Sequence, residues 1–155
     1  MKLKGTIAVA GASFVVDQAS KLWILYGLDL PSLRVAEVWP PYLNLIMAWN
    51  RGANFGLGDS MGAAFWIGLA VAISVALLIW ARRLDDPVRL VGIGMVIGGA
   101  LGNAMDRVLY GAVVDFLNTS CCGFRNPYAF NVADVLIFVG AAALILREGR
   151  PQKKA

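Results

Sequence analysis

Long apolar runs without charge constrain this chain more than any other feature of its sequence. The clearest run extends from Ser60 to Ala81 and covers 22 residues with no charged side chain. A helix needs about 20 apolar residues to cross the hydrocarbon core of a membrane. The chain is 59% hydrophobic and only 15% charged, against about 25% charged for an average soluble protein. This composition argues against a soluble globular protein and against a disordered chain.

The sequence predicts four membrane-spanning helices, near residues 5–27, 60–81, 88–110 and 130–147. Between the first two, residues 29–58 contain short β-prone stretches, which predict a small sheet lying on the membrane, here called the β-cradle. An outer segment at residues 112–129 is expected to close over the site as a lid. We therefore expect an all-α membrane protein with four transmembrane helices and a small β-cradle, forming one polytopic domain over residues 1–155.

The basic residues predict how the chain is inserted, because the cytoplasmic flanks of membrane spans carry an excess of Lys and Arg. Nine of the 14 basic residues lie before the first predicted span, around the loop between the second and third, or after the fourth. The opposite loops contain only Arg34, Arg51 and Arg125. Both termini are therefore expected in the cytoplasm. Topology accounts for the net charge of +4, and no nucleic-acid partner is expected.

Polar side chains within and beside the predicted spans gather at a single depth. Counted from the cytoplasmic ends, this outer level contains Asp17, Lys21, Asn103, Asp106, Arg107, Asp115, Asn131 and Asp134. Ionisable groups inside a bilayer are costly, so they mark functional sites by default. Asp17 and Lys21 are also spaced as a favourable i,i+4 ion pair, so a purely structural role stays open for them. Asp106 and Arg107 equally fit a structural pair at a helix end.

Asp115 and Asp134 are harder to explain by structure alone. Each lies in an apolar stretch, and neither has a basic residue within four positions. Burial disfavours ionisation of a carboxylate, and two carboxylates brought close together cannot both ionise easily. One ionised and one protonated carboxylate can activate water and donate a hydrogen bond to a carbonyl oxygen. The sequence therefore predicts an aspartic catalytic pair at the membrane–water boundary.

Two further patterns surround these acids. The spacing Asn-x-x-Asp occurs at Asn103–Asp106 and again at Asn131–Asp134, which places each amide on the same helical face as its carboxylate. Each amide is expected to orient that carboxylate or to bind a peptide backbone. Glycines at four-residue intervals from Gly94 to Gly102 predict close packing of the third span against a neighbouring helix.

The composition excludes several other kinds of catalytic chemistry. The chain contains no histidine, which removes the Ser-His-Asp and Cys-His nucleophile systems and the His-ligated zinc peptidases. Its two cysteines, Cys121 and Cys122, are adjacent and too few for a metal cage. We therefore expect no metal and no cofactor. Gly56–Asp59 matches the Gly-x-Gly-Asp string of another intramembrane aspartic protease class, but it precedes a span and has no Tyr-Asp partner in a helix.

Five motifs, in order along the chain, resemble those of lipoprotein signal peptidase, the signal peptidase II family. They are Asp17–Lys21, Asn50–Gly56, Gly102–Arg107, Val113–Phe116 and Phe130–Asp134. The resemblance runs from about residue 14 to residue 140 and includes the expected number of spans. Two departures are visible: Asn54 stands where the family usually has Ala, and the Cys121–Cys122 pair lies in a variable region.

This resemblance implies a fold, an activity and a set of site residues. The implied fold adds a short amphipathic outer helix near residues 117–129. The implied activity is an aspartic endopeptidase of the bacterial inner membrane that cleaves prolipoproteins just before a diacylglyceryl-modified cysteine. Asp115 and Asp134 would be its catalytic pair, near the extracytoplasmic face. The implied supporting residues are Asp17, Lys21, Asn50, Asn103, Asp106, Arg107 and Asn131. The implied partners are the lipidated precursor, membrane lipids and globomycin-type inhibitors, and the chain is expected to be a monomer.

Two other function classes stay open at this point. A small proton- or cation-coupled transporter would use acids near the middle of the membrane and a water path across it. The acids of this chain are instead predicted to gather toward one face. A non-catalytic membrane scaffold would leave the two acids in apolar surroundings unexplained.

Overall fold

Helices dominate the part of the chain that the computed structural model describes, which is residues 3–52, 61–123 and 126–147. The helices are α1 (Leu3–Leu22), α2 (Leu30–Leu33), α3 (Gly62–Ala81), α4 (Pro87–Tyr110) and α5 (Val132–Arg147). A π-helical turn, Trp23–Gly27, extends α1. The strands are β1 (Val35–Trp39), β2 (Leu43–Asn50) and β3 (Val113–Thr119). Asn54 and the Gly56–Asp59 string lie outside the described residues.

Three of the described helices are long and apolar enough to cross a membrane. They are α1 with its π-helical extension (Leu3–Gly27), α3 and α4, and they match the first three predicted spans closely. Helix α5 covers 16 residues, which is shorter than the roughly 20 residues of a typical span. The fourth predicted span, at 130–147, therefore stays a prediction.

Helix α4 is the central helix of the bundle, and its glycines allow close packing on two sides. The row from Gly94 to Gly102 faces α1, where a Cβ atom at Gly94 would lie 2.8 Å from the carbonyl oxygen of Thr6. On a neighbouring face, a Cβ atom at Gly99 would lie 2.6 Å from the carbonyl oxygen of Ala133 in α5. Small residues of this kind let helix backbones approach closely in a membrane. The close packing predicted from the Gly94–Gly102 row is confirmed.

Helix α3 is mostly exposed, in contrast to α4, since only Ser74 and Ala81 are buried along its length. The hydroxyl of Ser74 donates to the carbonyl oxygen of Ala70 at 2.7 Å, so its polar group is satisfied within the helix. A helix that is apolar all round and exposed on most sides suits a lipid environment rather than water. The burial of α4 and the exposure of α3 place the polar site around α4.

The three strands form an antiparallel sheet in the order β1-β2-β3. Strands β1 and β2 lie within the predicted β-cradle of residues 29–58. The register places Asp115 of β3 opposite Ala48 of β2. A hydrophobic cluster beneath the sheet connects it to the end of α1 and consists of Ile24, Leu25, Leu30, Leu45, Val114 and Phe116. This cluster sets the position of β3 relative to the helices.

The outer segment corrects one prediction. A short amphipathic helix was expected near residues 117–129, whereas residues 113–119 form β3, and the described residues 120–123 and 126–129 contain no helix. The β-branched and aromatic residues Val113, Val114 and Phe116 favour an extended chain. Strand β2 offers an edge with which they pair, and Phe130 pairs with Leu117 on the other side of β3.

Candidate active site

Every residue predicted for the site lies in one hydrogen-bonded network at one end of the helix bundle. The network joins Asp17 and Lys21 of α1, Asn50 of β2, Asn103, Asp106 and Arg107 of α4, Asp115 of β3, and Asn131 and Asp134 at the start of α5. The C-terminal ends of α1 and α4 meet the N-terminal end of α5 there. Side chains that are far apart along the chain therefore become neighbours.

The ammonium group of Lys21 lies at the centre of the buried half of this network. It forms ion pairs with Asp17 at 2.8 Å and with Asp106 at 2.7 Å, and it donates to Oδ1 of Asn103 at 2.9 Å. Lys21 is only 2% exposed, so these oxygens replace the water that would otherwise solvate the charge. The predicted Asp17–Lys21 pair is confirmed. Asp106 is the second acid of this ion-paired cluster and not a partner of Arg107.

Asp17 and Asp106 also bind backbone N–H groups of other elements. Oδ1 of Asp17 accepts from the N–H of Ala133 in the first turn of α5 at 2.9 Å. Oδ2 of Asp106 accepts from the N–H of Val114 in β3 at 3.1 Å. The first turn of a helix leaves N–H groups without intrahelical partners, and Asp17 satisfies one of them. The ion-paired cluster thereby positions α5 and β3, which carry the two candidate catalytic acids.

Asp115 is held by two asparagine side chains. Its Oδ2 accepts from Nδ2 of Asn50 at 3.0 Å, and its Oδ1 accepts from Nδ2 of Asn131 at 2.7 Å. Burial of the side chain, and next the negative charge of Asp134, raise the pKa of Asp115 from 3.8 to about 7, while the two asparagine donors act in the opposite direction. A carboxyl group with this pKa keeps its proton at pH values well above those at which an ordinary aspartate ionises.

Asp134 lies in the first turn of α5 and forms a reciprocal cap with Asn131. The N–H of Asp134 donates to Oδ1 of Asn131 at 3.0 Å, and the N–H of Asn131 donates to Oδ2 of Asp134 at 3.2 Å. This arrangement is a capping box built from Asn and Asp, and it satisfies two N–H groups at the helix start. Oδ1 of Asp134 also accepts from Nδ2 of Asn103 at 3.0 Å. A negative charge here faces the positive end of the helix dipole.

Asn103 and Asn131 connect the two acids across the interface between α4 and α5. Nδ2 of Asn131 lies 3.0 Å from Oδ1 of Asn103 and 2.7 Å from Asp115. Nδ2 of Asn131 thus binds Asp115 rather than Asp134, the acid three residues later, whose carboxylate instead accepts from the backbone N–H of Asn131. Nδ2 of Asn103 likewise binds Asp134 instead of Asp106, so the expected pairing of each amide with the carboxylate three residues later is wrong, and the binding of a peptide backbone stays a prediction. The reason is tertiary, because the carboxylate of Asp106 turns toward α1.

Arg107 connects α4 to the chain that follows β2. Its Nη2 donates to the carbonyl oxygen of Gly52 at 2.5 Å, and its Nη1 donates to that of Asn103 at 3.1 Å. The guanidinium lies 5.7 Å from the centroid of the Trp66 ring, which adds a cation–π contact from α3. The N–H of Gly52 in turn donates to Oδ1 of Asn50 at 3.1 Å. Arg107 therefore supports the turn that orients Asn50.

Gln18 belongs to the network, although no sequence pattern predicted a role for it. Its Nε2 lies 3.1 Å from Oδ2 of Asp17, 3.0 Å from Oδ1 of Asp106 and 3.2 Å from the carbonyl oxygen of Gly102. This amide thus joins α1 to α4 beside the ion pairs. A polar amide within a membrane helix commonly bonds to a neighbouring helix, and the position of Gln18 next to Asp17 was the available signal.

Known proteins resemble this chain in sequence over nearly all of its length. The family profile described as Signal peptidase (SPase) II matches residues 9–148. A lipoprotein signal peptidase of Rhodopseudomonas palustris is 45% identical and covers 92% of this chain and 92% of its own length. A lipoprotein signal peptidase of Methylorubrum extorquens is 40% identical and covers 97% of this chain and 88% of its own length.

Solved structures resemble it in fold as well. A bacterial membrane enzyme determined by the in meso method at 2.3 Å resolution matches with a TM-score of 0.81 and 28% identity, over 98% of this chain and 94% of that one. A second, determined at 1.9 Å resolution, matches with a TM-score of 0.80 and 29% identity, over 96% and 95%. The chain is therefore a bacterial membrane protein, and it belongs to the signal peptidase II family.

Proposed function

We propose that this protein is a membrane aspartic endopeptidase that removes signal peptides from bacterial prolipoproteins, with Asp115 and Asp134 as its catalytic pair. The observation that carries the proposal is the amide circuit that holds these two acids. Asn131 binds both of them, and Asn50 and Asn103 each bind one. Asparagine amides orient a carboxylate without neutralising its charge, so a proton shared by the two acids offsets part of that charge.

The surroundings of the two acids suggest separate roles. Asp134 sits at the positive end of α5, where the helix dipole stabilises an ionised carboxylate, and it acts as the general base. Asp115 is 2% exposed and holds the proton, because burial and the nearby negative charge both raise its pKa. It acts as the hydrogen-bond donor and general acid.

The reaction then proceeds by addition of water to the scissile carbonyl. Asp134 takes a proton from the water molecule, and the oxygen of that water bonds to the carbonyl carbon. Asp115 donates a hydrogen bond to the carbonyl oxygen. The tetrahedral intermediate collapses as its C–N bond breaks, and a proton from the pair passes to the leaving amine. The other members of the network, namely Asp17, Lys21, Asn50, Asn103, Asp106, Arg107 and Asn131, position the pair.

The proposed substrate is a precursor whose cysteine carries diacylglycerol, with cleavage just before that cysteine. The apolar, outward-facing residues of α3 suit contact with lipid tails and with membrane lipids. The acyl chains of the substrate would lie along the helix bundle and hold the scissile bond at the level of Asp115. Lipid anchoring of this kind raises the local concentration of the bond at the site.

We propose four spans, with α5 as the last, in one polytopic domain of the bacterial inner membrane. The distribution of Lys and Arg supports cytoplasmic termini and a catalytic pair near the extracytoplasmic face. The transporter alternative has less support, because the described acids of the network lie at one end of the bundle rather than along a path through it. We propose a monomer because one chain supplies every residue of the catalytic network.

Cleavage of a synthetic precursor by the purified full chain tests this function. We expect cleavage of a diacylglyceryl-modified precursor peptide, with mass spectrometry locating the cut before the lipidated cysteine, and inhibition by globomycin. The matched control is the same peptide without the lipid, which should be cleaved far more slowly. Equal cleavage of both peptides would refute the lipid-anchored substrate, and no cleavage of either would refute the peptidase.

A further inference from the structure

Two adjacent thiols lie outside the network, in the loop that follows β3. Cys121 and Cys122 are both free and exposed. The chain turns sharply at this point, since Cys122 has a φ of 58° and Gly123 a φ of 82°. A hydrogen bond between the two side chains raises the pKa of the Cys121 thiol. The two thiols are therefore adjacent at an exposed turn.

Hydrogen bonds hold both ends of this loop in place. The hydroxyl of Ser120 donates to Oδ1 of Asn118 at 3.3 Å and accepts from the N–H of Asn126 at 3.1 Å. Nδ2 of Asn118 donates to the carbonyl oxygens of Asn126 and Tyr128 at 2.8 and 2.7 Å. A change in the backbone at the two cysteines therefore occurs beside Ser120, which hydrogen bonds fix to Asn118 and Asn126.

We propose that Cys121 and Cys122 form a reversible disulfide with each other and that this pair is a redox-sensitive modification site. A thiolate of the pair attacks a small dialkyl disulfide, such as oxidised glutathione, and releases one thiol. The neighbouring thiolate then attacks the mixed disulfide, closes the ring and releases a second thiol. Two electrons pass from the cysteine sulfurs to the glutathione disulfide, and the two cysteine protons end on the released thiols or in solvent.

Because the two cysteines are adjacent, their disulfide is easily reduced and does not act as a permanent cross-link. Neighbouring Cα atoms are about 3.8 Å apart across a trans peptide, which is shorter than the usual separation of roughly 4.4–6.8 Å in disulfides. The ring is therefore strained, and strained or exposed disulfides are the ones that are most easily reduced. The proposed topology places the loop outside the cytoplasm, where disulfides form and persist.

Oxidation at this loop is expected to reach the candidate active site along two short paths. Asp115 lies on β3 before the loop, and Asn131, which binds it at 2.7 Å, lies after the loop. Between them, Leu117 and Phe130 exchange backbone hydrogen bonds of 2.7 and 2.9 Å. Ring closure strains the turn that joins these two sides, so we expect several-fold slower cleavage in the oxidised protein.

Intact-mass measurement of the purified full chain, treated with oxidised glutathione, tests the modification. The mass of the wild type should fall by that of two hydrogens, and a thiol assay should find neither cysteine free. Dithiothreitol should restore both the mass and the free thiols. Cys121→Ser and Cys122→Ser should each retain one glutathione, because no second thiol is left to displace it. A wild type that keeps both thiols, retains glutathione or forms disulfide-linked dimers would overturn the proposal.

Cleavage of the lipidated precursor by the same samples tests the effect on the site, and only this readout rests on the proposed function. The oxidised wild type should cleave several-fold more slowly than the reduced wild type, and reduction should restore the rate. The double variant Cys121→Ser/Cys122→Ser should show no response to the oxidant. An unchanged rate in fully oxidised protein would overturn the coupling of the loop to the site.

Discussion

The network contains two pairs of aspartates that differ in what holds them. Asp17 and Asp106 both bind the ammonium of Lys21, at 2.8 and 2.7 Å. Asp115 and Asp134 are held by asparagine amides and a backbone N–H. The first pair thus shares a positive charge, whereas the donors to the second pair carry no net charge.

This difference separates the ion-paired acids from the acids of the proposed catalytic pair within one small site. The ammonium of Lys21 offsets part of the negative charge of the first pair, and this pair fixes α1, α4, α5 and β3 through ion pairs and through hydrogen bonds from backbone N–H groups. An amide orients a carboxylate but leaves its charge, so we propose that the second pair is neutralised by a proton that it exchanges with a substrate. Aspartate side chains therefore serve two purposes in this site, and the group that binds each aspartate, an ammonium or an amide, decides which purpose it serves.

The largest expected effect comes from removing either acid of the amide-held pair. We expect Asp115→Asn and Asp134→Asn each to lower the cleavage rate by about 10²–10⁴-fold, because each removes a proton-transfer group. Asn keeps the shape of the side chain, so both variants should stay folded by thermal unfolding. Asp29→Asn, at an exposed position, is the matched control and should cleave normally. Turnover within a few-fold of the wild type in either site variant would break the comparison.

Removing the cation should damage the other pair through stability. Lys21→Met leaves two buried carboxylates without their ammonium, which should cost about 3–5 kcal/mol in the free energy of unfolding. Chemical unfolding in detergent measures this, and Lys4→Met at an exposed position is the control. Adding Asp106→Asn should recover part of the loss, because one uncompensated charge disappears. A Lys21→Met protein as stable as Lys4→Met would contradict the structural role of the cation.

A smaller loss is expected where α4 brings its polar residues against α1. A Cβ atom at Gly98 would meet the carbonyl oxygen of Ala10 and lie 2.5 Å from Cβ of Ser13. Gly98→Ala should therefore cost about 1–3 kcal/mol in the free energy of unfolding. The control Gly68→Ala, where nothing lies within 4 Å, should gain roughly 0.5–1 kcal/mol by relieving the cost of glycine in a helix. Equal effects at the two positions would show that the α1–α4 contact is not tight.

The last expected effect is a dependence on pH that belongs to the amide-held pair. Because the pKa of Asp115 is about 7, raising the pH above that value removes the shared proton, and kcat/KM should fall about tenfold per pH unit. Stability has the same sign. The folded pKa lies above the unfolded value of 3.8, so the folded protein binds more protons between these values and loses stability as pH rises through that window. Asp115→Asn should not lose stability in this pH window, which chemical unfolding at several pH values measures. An equal loss of stability in the variant would assign the effect to other groups.

Much of this arrangement follows from local sequence patterns. The lengths of apolar runs predicted α1, α3 and α4, and β-prone stretches predicted β1 and β2, because burial against lipid and strand pairing act over short segments. The spacing of Asp17 and Lys21 predicted their ion pair, since side chains four residues apart meet on one helix. The glycine row of α4 predicted close helix packing for the same reason.

The remaining features depend on contacts between distant segments. β3 is a strand because β2 presents a free edge to it, and a single segment does not encode its neighbour. Asn103 binds Asp134 instead of Asp106, because Lys21 draws Asp106 toward α1. Local spacing gives the face of a helix, and only tertiary packing decides which of the groups on that face meet.

The central claim is that one proton is shared by Asp115 and Asp134, and infrared difference spectroscopy of the carboxyl groups tests it most directly. As the pH rises from about 5 to about 9, we expect one protonated carboxyl absorption to disappear with a midpoint near 7. The absorption should be missing in Asp115→Asn, and it should titrate at lower pH in Asp134→Asn, which lacks the neighbouring negative charge. An absorption that is unchanged in Asp115→Asn, or the lack of any titrating carboxyl in the wild type, would contradict the account.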